Sequence, residues 1–231
     1  MEAPRKETGF DRAAAITRSL LGYGVLAGVF YVTLGLGQAF MRDGFDLSRH
    51  SLSLLANGPW GWVQTLNFAV TGLMVLAASV GIARALRPAR LALTLVAIYG
   101  GSLIVAGVFP ADPMDGFPPG APTGAADEMS TAGFVHLAAG GIGFVALAAA
   151  FVALGASFAA RGHTTMARSS RLSAAVLLLA FLAGAATATS ILGVVLLWIA
   201  VLVGWGWLAT TSVALYRAVP HPDLHRRPQT P

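Results

Sequence analysis

Two polar stretches concentrate the side chains of this chain that are capable of chemistry. The first reads Arg42-Asp-Gly-Phe-Asp-Leu-Ser-Arg-His-Ser-Leu-Ser-Leu-Leu-Ala-Asn-Gly58, the second Val108-Phe-Pro-Ala-Asp-Pro-Met-Asp-Gly-Phe-Pro-Pro-Gly120. His136 then follows Ser130 and Thr131, either of which makes a good helix N-cap, so its imidazole is expected about one turn inside a helix. A carboxylate orienting an imidazole is the usual start of a general base or a metal site. Asp112 and His136 fit that pattern and are the candidate catalytic pair. A metal needs three or four N/O ligands in the absence of cysteine, and His50, Asp112 and His136 supply three. The wider candidate ligand-binding set is Arg49, His50, Ser53, Asn67, Asp112 and His136, with Gln64 near Asn67. The competing structural reading is that Asp112 and His136 bond to each other and to loop backbone, while Gln64 and Asn67 bond between helices. There is no cysteine, which excludes thiolate nucleophiles, disulfides and Cys-ligated zinc. No HExxH and no Gly-x-Ser-x-Gly is present, and no cofactor is specified.

These residues must be held by elements that suit a bilayer. The 231 residues are 56% hydrophobic and only 11% charged, against about 25% charged in a soluble domain. The net charge of +5 falls in short basic clusters between apolar runs, without the basic face that nucleic-acid binding needs. Crossing about 30 Å of hydrocarbon takes about 20 apolar residues. Ser19 to Met41 holds no ionisable group but Tyr23 and Tyr31, Ser51 to Ala83 holds none, and Leu91 to Ala111 makes a third run. Ser130 to Ala160 carries only His136, and Leu172 to Ala214 is long enough to fold back at Thr187, Thr189 and Ser190.

The expectation is an all-α, polytopic transmembrane bundle of six spans: 19–40, 63–83, 91–109, 132–158, 172–188 and 193–216. Residues 1–18 form a cytoplasmic segment and 217–231 a disordered cytoplasmic tail. The first run exceeds a signal-peptide core and is read as an uncleaved span. Thirteen basic residues fall in the termini and the 84–90 and 161–171 connections, and only Arg42 and Arg49 in the opposite loops. Positive charge stays inside, which places both termini in the cytoplasm of a multi-pass cell-membrane protein. His163 is expected solvated in a basic connection, near anionic headgroups.

Within the spans, no charged residue or internal proline marks an ion path or a broken helix, which disfavours a coupled transporter. Gly24 and Gly28 form a GxxxG, and Gly100, Gly101, Gly107, Gly140, Gly141 and Gly143 mark close helix contacts. Those contacts serve the chain itself, with a homo-oligomer as the alternative use. Trp60, Trp62, Tyr216 and Trp205 or Trp207 suit the interfacial belts. Phe45, Leu52 and Leu55 recur near helical spacing and predict a short interfacial helix with Asp46 and His50 on one face. Prolines and glycines predict an ordered, non-helical second loop.

The segments "GFDLSRHSLSLLANGPWGWVQTLNF", "VAGVFPADPMDGFPPG" and "GFVH" together resemble a bacterial six-span membrane family, domain-of-unknown-function family 998. The likeness runs roughly from the first span to the sixth. Positions that match its recurrent motifs are Arg49, His50, Ser53, Leu54, Gly58, Asp112, Pro113, Gly120 and His136. The resemblance implies a six-helix bundle with these two loops as its mark, and no activity. Two functions stay open. One is a non-enzymatic membrane protein whose outer-face lid, loops 41–62 and 110–131, binds a lipid, a small ligand or a partner. The other is a membrane-embedded hydrolase or transferase, with or without a metal, that acts on a lipid at the outer interface with His136 and Asp112 as base or ligands. Membrane lipids are the expected partners, and nucleic acid is not.

Overall fold

A computed structural model describes residues 10–86, 89–125 and 128–223. The chain forms six long helices: α1 (Arg12–Met41), α2 (Gly61–Ala85), α3 (Arg90–Val108), α4 (Thr131–Ala160), α5 (Thr164–Ala186) and α6 (Ile191–Ala218). A single 3-10 turn, Leu52–Ala56, interrupts the first long loop. All six helices are long and apolar enough to cross a membrane. The all-α, six-span expectation is the observed architecture. The two cytoplasmic flanks expected at 1–18 and 217–231 fall partly outside the described residues.

Helices extend past the apolar runs, because backbone hydrogen bonds continue where the hydrocarbon ends. α1 starts at Arg12, where the Asp11 carboxylate accepts the Ala14 N–H. α5 starts at Thr164, ahead of the expected Leu172, and leaves Arg168 and Arg171 exposed on its first turns. Ser130 and Ser190 cap α4 and α6 by accepting the N–H of Gly133 and Gly193, which satisfies donors that a helix start otherwise orphans.

The helices form a ring in chain order. Each packs on its sequence neighbours, and α6 closes against α1. Alternating direction gathers the start of α1, the end of α6, the end of α2, the start of α3 and the 161–163 turn at one end, the terminal end. The 42–60 and 109–130 loops and the 187–190 turn share the other, the loop end. Small residues let neighbours approach: a side chain at Gly24 would strike Ser212, one at Gly28 would press on Trp205, and one at Gly100 would meet the Gly72 carbonyl. The GxxxG of α1 therefore faces α6 within the chain. Gly101, Gly140 and Gly141 border open space.

The terminal half is solid. Leu21, Ile82, Val96, Leu147, Leu154, Leu177 and Leu208 are fully buried there. Trp205 and Trp207 are not belt residues: both are buried, Trp205 beside Tyr31 and Tyr99 and Trp207 against Phe151. Trp207 stacks on Phe151 at 3.7 Å and donates its indole N–H to Ser170 Oγ at 2.9 Å. Arginines lace the end. Arg18 donates to the carbonyls of Tyr216 and Val219 and lies 3.9 Å over the Tyr216 ring. Arg84 reaches Thr17 Oγ1, and Arg161 the carbonyls of Ser157 and Leu86. Cations on carbonyls at helix C-termini are well placed with respect to the helix dipole.

Candidate functional site

At the loop end, the chain crosses from α3 to α4 through a reciprocal latch. Asp112 follows α3 and turns its carboxylate onto the start of α4, where Oδ2 accepts the Ser130 N–H at 3.0 Å. Negative charge is favoured at a helix N-terminus. A side chain at Gly133 would run into that carboxylate, so glycine there makes room for Asp112. In return, His136 of α4 reaches back to the end of α3. Its Nδ1 lies 3.0 Å from the Ala106 carbonyl and 2.9 Å from that of Phe109, among the carbonyls a helix end leaves unpaired. Both partners are acceptors, so Nδ1 carries the hydrogen. The expected Asp112–His136 hydrogen bond is not formed. Each residue satisfies the backbone of the other's helix.

The two long loops interlock over this latch. The Asp46 N–H donates to His50 Nδ1 at 2.8 Å, which leaves Nε2–H to donate to the Asp115 carbonyl at 3.1 Å. One buried imidazole thus ties the first loop to the second. Fully buried Phe117 packs edge-on against Phe45 at 5.0 Å and beside His50 at 5.5 Å. Arg42 lies 5.2 Å over the same ring and donates to the carbonyls of Leu55 and Asn57. Asn57 Nδ2 donates to the Ala111 carbonyl at 3.0 Å. Asp115 holds a positive φ of 52°, a conformation Asp tolerates better than most residues. The Asp46 carboxylate accepts the hydroxyl and N–H of Ser48, which hold it below the usual carboxylate range.

The interfacial helix expected across Phe45 to Leu55 is absent. Turns at 43–44 and 47–49 and the short 3-10 turn Leu52–Ala56 take its place, and Leu52, Leu54 and Leu55 plug the ring from above. A stretch that buries three leucines into the bundle has no apolar face left for the membrane. The expected metal set is not assembled either: His50 and His136 commit ring nitrogens to backbone carbonyls and Asp112 caps a helix. No group of three His, Asp or Glu side chains able to hold a metal occurs among the described residues. Arg49 is exposed and pairs with no carboxylate among the described residues. Arg42 makes the ordered contacts instead.

Beneath the interlocked loops, the loop half of the ring encloses a cavity of about 180 Å³ to which all six helices contribute. Tyr31, Phe68, Tyr99, Phe144, Phe181 and Trp205 line it, linked by ring contacts of 4.4–6.1 Å. Ser51, Ser53, Ser102 and His136 are among its polar edges. Ser53 itself sits 3.0 Å from Ser51 Oγ. His136 Nε2 has no hydrogen-bond partner among the described residues, and neither does the buried indole N–H of Trp205. A buried indole N–H ordinarily finds an acceptor. The lining runs out to exposed Leu137 and Ala185, so the cavity opens sideways between α4 and α5.

Asn67 is not part of this cavity. It donates to the Tyr31 carbonyl and to Gln64 Oε1, accepts from Thr71, and with Gln38 forms a buried polar seam between α1 and α2. Arg42, Asn57, Asp115 and Phe117 are the site residues that sequence pattern passes over, and the turn dipeptides Asn57-Gly58 and Asp115-Gly116 are the signals that mark two of these positions.

A ring of six membrane-spanning helices, closed at one end by two ordered loops over an aromatic cavity, defines a multi-pass integral membrane protein. The family model described as "Protein of unknown function (DUF998)" matches residues 25–214. The chain belongs to that family, and the matched segment includes both loops, His136 and the cavity. Comparison with curated proteins and with solved structures gave no match.

Proposed function

We propose that the protein is a binding protein of the cell membrane that holds a small, largely apolar molecule in the loop-half cavity, with the interlocked loops as its lid. Arginine placement supports a cytoplasmic terminal end and an external lid. The observation that carries the reading is that Trp205, one of the aromatic side chains lining the cavity, has a buried indole N–H without a partner among the described residues. Apolar walls with a few polar groups that fix orientation are what small-molecule sites share. An apolar cavity of about 150 Å³ takes up benzene, so this one suits a single ring or a short branched chain bearing a hydrogen-bond acceptor. The side opening at membrane depth favours entry from the bilayer. Hydrolysis or transfer by a metal loses its support once His50, Asp112 and His136 are found engaged elsewhere.

Gly140 provides the test. It lines the cavity, and a Cβ added there meets no atom within 4 Å. Gly140→Leu is expected to fold, keep its melting temperature within a few degrees, and lose the small molecule that solvent extraction and mass spectrometry recover from wild-type protein. Recovery of the same molecules in the same amounts from both proteins refutes the reading.

A further inference from the structure

A second, larger concavity lies outside the ring. Between α1 and α2 a groove of about 860 Å³ runs along the lipid-facing surface, walled by apolar side chains such as Leu26, Phe30, Val63 and Met74 and ending at Arg42 and Trp60 by the loops. From the structure, we propose that this groove is a phospholipid site, with one acyl chain along α1 and the lipid phosphate on Arg42.

Three observations commit the groove to that occupant. The first is length. Leu26 to Met41 spans about 22 Å at 1.5 Å per residue, against about 15 Å for the hydrocarbon of one leaflet, so a whole acyl chain fits. The second is charge. Arg42 donates one N–H each to the Leu55 and Asn57 carbonyls and has no carboxylate partner among the described residues. Of its five N–H donors, Nε–H and one on each terminal nitrogen are left for an anion. Burial pulls its guanidinium below the ordinary arginine value, a cost that a phosphate alongside would offset. Guanidinium and phosphate match in geometry as well as charge. The third is position. Trp60, 60% exposed, stands beside Arg42 at the groove mouth, where indoles mark the headgroup level. The site is separate from the central cavity and does not depend on its occupant.

The test uses native mass spectrometry of the full chain released from nanodiscs, offered phosphatidylethanolamine or a diacylglycerol with the same acyl chains. Gly37 lines the groove, is exposed, and would place a side chain with no other atom within 4 Å of its Cβ, so Gly37→Leu fills the groove without crowding the protein. Wild type is expected to retain one phosphatidylethanolamine per chain at least fivefold more than diacylglycerol. Gly37→Leu and Arg42→Gln are each expected to lose that retention about fivefold, and Arg49→Gln to keep it. Equal retention of the two lipids, or undiminished retention by Gly37→Leu, overturns the proposal. If Arg42→Gln fails to fold because its loop contacts are lost, Gly37→Leu decides.

Discussion

The two halves of the ring are built from the same apolar residue types and end up with opposite properties. In the terminal half, leucines, Phe151 and Trp207 fill the interior, and Trp207 has its acceptor in Ser170. In the loop half, large aromatics stand around a cavity, and Trp205, two residues earlier on α6, has no acceptor. The closures differ too. Arginine side chains bind helix-end carbonyls directly at the terminal end, whereas the loop end is closed by some forty residues of loop held through His50, Asn57, Arg42 and Phe117. Dense packing serves stability. A lidded void sacrifices some of that stability, which is the pattern expected of a place where something binds.

Substituted glycines separate the halves most sharply. A side chain at Gly81, in the terminal half, would meet the backbone of Leu20 and Leu21. Gly81→Leu is expected to destabilise the protein by about 3 kcal/mol or more, because backbone cannot move aside as a side-chain tip can. Gly140→Leu, in the loop half, is expected to be neutral or slightly stabilising, since glycine in a helix interior costs about 0.5–1 kcal/mol relative to alanine. Unfolding in mixed micelles measures both, and comparable losses would erase the distinction between a solid and a hollow half.

A smaller effect sharpens the picture of the latch. Asp112→Ala removes a cap and His136→Ala removes a donor from two carbonyls, each expected to cost about 1–2 kcal/mol. His163→Ala, at an exposed turn of the terminal end, is expected to stay within about 0.5 kcal/mol of wild type. Identical melting temperatures for all three would mean that the latch contributes nothing to holding α3 and α4 together.

The smallest expected effect concerns acid. Ser48 holds the Asp46 carboxyl below its ordinary value, so the folded form binds its proton less readily than the unfolded form. Its contribution to loop order is complete above the usual carboxylate range, about pH 4, and fades as pH falls through the lower folded value. The protection factor of the Ser48 amide should drop below about pH 4, and Asp46→Asn should flatten that dependence. A drop centred near neutral pH would point to a different group.

Residue order alone locates the loop end as the place of interest, and Ser53 and His136 do reach the cavity. It mispairs Asp112 with His136 because both stand at similar depth, and depth says nothing about which carbonyl an imidazole will face. It places Asn67 in the site for the same reason, though α2 turns it toward α1. Arg49 draws notice ahead of Arg42, since two arginines seven residues apart in a polar loop look alike until one is seen with its guanidinium over Phe117.

Composition, run length and the alternation of arginine were enough to establish an all-α protein of six membrane helices, because the bilayer imposes length and apolarity locally on each span. Which faces those helices turn inward was left to tertiary structure. A span that is apolar on every side carries no directional signal, so the cavity, its aromatic lining and the groove on α1 and α2 arise only when the ring closes. The polar contacts followed the same logic: a histidine or carboxylate bonds whichever backbone group a helix end leaves unpaired nearby, and that neighbour is fixed by the fold rather than by spacing along the chain.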